Sequence, residues 1–194
     1  MHYCKNSRWL DKPLATCCLL LLVLLPLPSA FAEGVYVRSA LTEYDGQRYR
    51  LSAVIDFLFP SDVLDALHKG VPVGLHMDIE IYRKRSFWMD ELVASLVQKV
   101  ELRYKPLSRK YLVTNLNSGA VHDFENETDA VVFAGKLSHI PLVDKRLLKP
   151  DEVYVGRIRA KVSQSHFPFV IRMWSLLRSD WRFESEWYQW PIKE

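Results

Sequence analysis

The chain has 194 residues, 49% of them apolar and 25% charged, with a formal net charge of +3. Those proportions exclude a disordered chain, which would lack apolar surface, and a polytopic membrane protein, which would have far more; the length suits one domain, at most two. With 7 glycines the chain is also far from collagen-like or Gly-loop-rich designs.

In chain order, the first feature is a leader. Lys5, Arg8 and Lys12 outweigh Asp11, an apolar run extends from Leu14 to Leu25, and Pro26 and Pro28 stop any helix. Ala30-Phe31-Ala32 then supplies a small-x-small end. Residues 1–32 read as a secretory signal peptide cleaved between Ala32 and Glu33, which places the mature chain in the periplasm. A spanning helix needs about 20 apolar residues, so an uncleaved anchor is the weaker reading and no membrane span is expected after cleavage. Cys4, Cys17 and Cys18 all lie in the leader. A mature chain without cysteine has no disulfide framework, thiol redox chemistry or Cys nucleophile. Cleavage leaves 23 basic against 22 acidic side chains, a net charge of +1. That near-neutrality argues against nucleic acid as a partner.

Regular structure is expected to open at Arg48–Phe59, an extended apolar run entered by the turn Asp45-Gly46. A short helix follows, with Ser61 as N-cap, Gly70 at C′ and Val63, Leu64 and Leu67 as its buried stripe. Val71–Tyr82 alternates cleanly: Val73, Leu75, Met77, Ile79 and Ile81 face one way, His76, Asp78 and Glu80 the other. Residues 87–95 suit either period, but the strand pattern runs without a seam from Leu96 into Leu102-Arg103-Tyr104, so Phe87–Leu107 is read as strand. Arg109–Thr114 and Ala120–Phe124 form a hairpin around Asn115-Leu116-Asn117-Ser118-Gly119. Asn126 caps a second helix with Asp129 as its capping-box partner, and Ala130, Val131, Ala134 and Leu137 make its buried side up to Ile140-Pro141. Val153–Ser163 sets Tyr154, Ile158, Ala160 and Val162 opposite Arg157, Arg159 and Lys161. Ser179–Trp190 closes the chain as an aromatic strand, with Trp181, Phe183 and Trp187 together on a core-facing side. Repeated two-residue periods with two short helices predict a mainly β fold, an antiparallel β-sandwich immunoglobulin-like in general architecture, as one domain over residues 33–194.

Chemistry-bearing motifs are sparse. The mature chain has no G-x-S-x-G, no S-x-x-K, no H-E-x-x-H and no phosphate-cradling glycine cluster, so neither catalytic residues nor a cofactor or metal site is assigned. His76, Asp78 and Glu80 share one strand face, where a solvated polar surface is a simpler reading than a metal site. Arg103 and Lys105 flank a turn, and Arg157, Arg159 and Lys161 line one strand face. These five are the candidate binding residues: on adjacent strands they would form a basic stripe for an anionic envelope polymer or a protein partner.

Several stretches carry a resemblance: Asp65-Ala66-Leu67-His68-Lys69-Gly70-Val71-Pro72, Leu102-Arg103-Tyr104, Tyr111 through Gly119, and Ser179-Asp180-Trp181 with Ser185-Glu186-Trp187-Tyr188-Gln189-Trp190-Pro191. In these the chain resembles a family of exported proteobacterial proteins, domain of unknown function 4390, also called proline-rich signal peptide proteins. Phe87-Trp88 stands where such proteins carry paired Trp, a departure expected to touch aromatic packing alone. The family has no established activity, and the resemblance implies a setting near a sensor kinase and its regulator. The expectation is thus a non-catalytic binding or accessory protein of the cell envelope, with a sensor kinase's periplasmic domain among its candidate partners. Docking of an anionic polymer is the alternative, and a hydrolase whose carboxylates converge only in three dimensions is the third reading.

Overall fold

A computed structural model describes residues 34–163 and 183–192, which lie within a unit running from Ala32 to Glu194. Two helices and nine strands follow in the order β1 (Gly34–Tyr44), β2 (Arg48–Leu58), α1 (Ser61–His68), β3 (Val73–Arg83), β4 (Glu91–Lys105), β5 (Lys110–Asn115), β6 (Val121–Phe124), α2 (Glu127–Ala134), β7 (Lys136–Asp144), β8 (Tyr154–Ser163) and β9 (Tyr188–Ile192). They build two antiparallel sheets, β1-β2-β7 and β6-β5-β4-β3-β8-β9. Chain crossings at α1, α2 and the β7–β8 connection alternate between the sheets.

The predicted fold class is the observed one: mainly β with two short helices, the sheets layered as an open sandwich. Burial alternates along β2, β3 and β8 as a half-wet sheet requires. Leu51, Ala53, Ile55 and Phe57 of the small sheet meet Leu75, Met77, Ile79 and Ile158 of the large one in a single apolar cluster, to which α1 adds Val63 and Leu67 and α2 adds Ala130 and Ala134. A second cluster of Tyr49, Ile81, Val143 and Tyr154 fills one end.

Several local expectations need correction. Regular structure begins at Gly34, ahead of Arg48, because β1 forms a hairpin with β2 through the Asp45-Gly46 turn. A register shift between Val37 and Ser39 breaks its two-residue alternation and hides the strand from a periodicity reading. Pro60 occupies the N-cap of α1 and Ser61 its first helical turn, with no side-chain cap; Leu64 is half-buried, and Ala66 joins Val63 and Leu67 inside. The Asn126 cap is present, its side chain accepting from Asp129 N at 2.7 Å, but α2 stops at Ala134. Gly135 lies so close to β2 that a Cβ there would collide with the Ile55 carbonyl, and Ile55 N donates to Gly135 O at 2.9 Å. From Lys136 the chain is strand, so buried Leu137 belongs to β7. The strand expected from Phe87 begins at Glu91, residues 87–90 belonging to the β3–β4 turn.

Candidate functional site on the outer sheet face

The outward-facing row of β3 consists of His76, Asp78, Glu80 and Tyr82, and each has a register partner on both sides. His76 lies between Lys99 and Lys161, Asp78 between Val97 and Arg159, Glu80 between Ser95 and Arg157. Acidic β3 therefore faces basic β8 along its length. Lys161 Nζ donates to Asp78 Oδ2 at 2.8 Å, an Arg159 guanidinium nitrogen stands 3.4 Å from the same oxygen, and Arg157 donates to Glu80 Oε2 at 3.2 Å. Arg159 also pairs with Glu184.

The end of the chain completes this face. Glu184 bridges to Lys161, and Val162 N donates to Phe183 O at 2.8 Å, yet four residues on Tyr188 is paired with Ile158. One extra residue has entered the 183–190 side between these points. Ser185 marks the slip: its hydroxyl accepts from Ala160 N at 3.0 Å and donates to Glu186 O at 2.9 Å, and the residue is buried. A one-residue slip sends every later side chain to the other face. Phe183 thus packs on the core while Trp187, two periods later, does not. Trp187 lies over the guanidinium of Arg159 at 4.6 Å and of Arg157 at 5.2 Å. The ring of Tyr82 stands 4.0 Å from the Arg157 guanidinium. This corrects the expectation of Trp187 as a core ring; the core tryptophan of β9 is Trp190, and Trp181 lies outside the described residues.

Electrostatics follow from the pairing. Partial burial pushes the Asp78 carboxyl up, but hydrogen bonds and charge from Lys161 and Arg159 outweigh it and hold the group below the ordinary carboxylate range. His76 is pushed down by burial and by the charges of Lys99 and Lys161, against a smaller opposing pull from Asp78. The Nε atoms of Arg157 and Arg159 are buried without a hydrogen-bond partner, so both side chains are held by their outer nitrogens and by the aromatic faces.

Of the five candidate binding residues, the structure gathers Arg157, Arg159 and Lys161. Arg103 and Lys105 belong to the same sheet but lie farther along β4: Ser95 is level with Glu80 and Arg157, and Lys99 with His76 and Lys161, so Arg103 stands roughly 26 Å along the strand from Arg157 and roughly 13 Å from Lys161. Arg103 is engaged by Glu101 of its own strand at 3.0 Å. The stripe is therefore a self-paired, mixed-charge surface capped by two rings, rather than a continuous basic one. Periodicity reading missed Tyr82, Trp187 and Glu184 as parts of it. The available signal was Ser185, a small hydroxyl residue at a position where the aromatic alternation calls for an apolar one. Ala32 and Glu33, the expected cleavage pair, lie outside the described residues.

No helix among the described residues is long and apolar enough to cross a membrane. No curated protein and no solved structure matches the chain. Residues 32–191, most of the chain, match a domain of unknown function, DUF4390; the protein belongs to that family.

Proposed function

We propose that this chain is a non-catalytic accessory protein of the periplasm that binds another envelope protein through the outer face of its six-stranded sheet. One observation carries the reading: Arg157 is held between Tyr82 and Trp187, beside an Arg159 stacked on the same indole. Arg, Tyr and Trp are the residues in which interface energy concentrates, and rings that pin a guanidinium lower the entropy lost on docking. Val97, exposed on β4 next to Asp78, adds apolar surface to the patch. The self-pairing of cations with Asp78, Glu80 and Glu184 favours a protein partner over an anionic polymer, which would compete with three carboxylates for those cations.

The leader supports export, and the family resemblance makes a sensor kinase's periplasmic domain the first partner to test. A photo-crosslinking residue in place of Val97, activated in intact cells, is expected to capture one protein in a discrete adduct. The same residue in place of Leu41, exposed on β1 of the three-stranded sheet, is expected not to. Equal capture from both positions, or none from either, would overturn the reading.

A further inference from the structure

A second surface, independent of the sheet face, lies at the β3–β4 turn. Phe87, Trp88 and Met89 are 94%, 81% and 90% exposed, and none of them joins either apolar cluster. The pair Phe87-Trp88, expected to serve aromatic packing, packs on neither core. Hairpin turns are ordinarily built from Gly, Asn, Asp and Ser, and three consecutive large apolar residues break that rule with no gain to the fold.

What surrounds the tip indicates its occupant. At its base Lys84 pairs with Asp90 at 2.7 Å, Arg83 and Arg85 both reach Glu91, and Arg83 lies 3.6 Å from Glu152. The collar is thus ionic but close to neutral. Lys84 N donates to Val153 O at 2.9 Å, which ties the β7–β8 connection to the tip and sets exposed Val153 beside it. With each of the three side chains more than four-fifths exposed, a flat protein surface covers part of them at most, whereas a fluid interface surrounds all. Trp and Phe settle at the boundary of headgroups and acyl chains, with charged groups and their apolar stems at headgroup depth.

We infer that the tip formed by Phe87, Trp88 and Met89 inserts into the interface of a phospholipid bilayer, driven by apolar burial with the paired collar resting among the headgroups. The test uses the chain from Glu33 onward, which lacks the apolar leader and comprises nearly all of the compact unit. It is floated with vesicles of phosphatidylcholine alone and of phosphatidylethanolamine with phosphatidylglycerol. Partition onto both compositions is expected, with little dependence on salt. The triple variant Phe87→Ser, Trp88→Ser, Met89→Ser should lose about tenfold or more of that partition at an unchanged melting temperature. Trp88→Phe should still partition but lose the vesicle-induced blue shift of tryptophan emission. Failure of the parent chain to float, partition undiminished in the triple variant, or binding confined to the anionic vesicles and abolished by salt would each overturn the inference. A tip that instead crosslinks to a protein, with no flotation, would overturn it in favour of a protein groove.

Discussion

Trp187 and Trp190 leave the end of the chain on opposite faces of the same sheet. Trp190 is buried between the sheets, where its indole Nε1 donates to Thr42 Oγ1 at 2.6 Å and so joins β9 to β1. Trp187 stays outside, over Arg157 and Arg159. Two indoles three residues apart therefore do different work, one closing the sandwich and one dressing its surface.

Their truncations should separate accordingly. Trp190→Ala is expected to cost about 3–5 kcal/mol, a large share of the roughly 5–15 kcal/mol of a domain this size. Trp187→Ala removes stacking on two half-exposed arginines and should cost about 1 kcal/mol or less. Urea denaturation of both variants checks the assignment, and comparable losses would show that the two rings are not so divided.

Gly156 depends on the same indole. It faces Trp190 so closely that a Cβ would collide with the ring. Gly156→Ala should destabilise the domain by about 1–3 kcal/mol through overpacking. In a Trp190→Ala background the same change should cost much less, so the double variant should lose less stability than the sum of the two single losses.

Two groups make stability depend on pH, His76 near neutrality and Asp45 in acid. His76 is held below its ordinary value of 6.5 by burial and by Lys99 and Lys161, so the folded state favours the neutral ring. A depressed value means that its contribution is complete above about 6.5 and is lost as pH falls below it. Stability should decline as pH drops from 7 toward 5, and His76→Gln should flatten that decline. Asp45, whose carboxyl accepts from Gln47 N and Arg48 N in the β1–β2 turn, is lowered to about 2 from an ordinary 3.8. Its contribution persists down to about pH 3.8 and disappears between there and about 2. Equilibrium unfolding followed across this range, with Asp45→Asn for comparison, checks both windows.

Masking of the basic row makes a further prediction. Asp78→Asn with Glu80→Gln frees Lys161, Arg159 and Arg157 from their β3 partners. Retention on an anionic polymer should then rise, most of all at low salt, while the parent chain is weakly retained. Strong retention of the parent, lost on charge reversal of Arg157, Arg159 and Lys161, would instead support polymer docking.

Legibility of the fold followed regularity. The uninterrupted alternation of Val73–Ile81 and of Tyr154–Val162 marked β3 and β8 and their core faces, and Asn126 with Asp129 marked the start of α2. Three features escaped, and each has a break in its pairing. β1 shifts register after Val37, β7 carries an extra residue against β2 between Val143 and Pro141 and again between Ile140 and Leu137, and the 183–190 stretch slips at Ser185. A bulge erases the two-residue period on which strand reading depends, and its cause lies in the partner strand rather than in the local sequence. The candidate site was legible to the same extent. Arg157, Arg159 and Lys161 were visible as one row, but their neutralisation by Asp78 and Glu80 depends on which strand pairs with β8, and the position of Trp187 on the slip.

Capture of an envelope protein by the purified chain from Glu33, compared among surface variants, measures most directly whether the outer sheet face is the binding surface. Trp187→Ala and Arg157→Ala should each weaken capture by more than about tenfold, as truncation of interface anchors does, while keeping a cooperative melt. Arg103→Ala and Lys105→Ala, on the remote part of β4, should capture as the parent does. Undiminished capture by a folded Trp187→Ala chain, or an equal loss in Arg103→Ala, would contradict the assignment of this face.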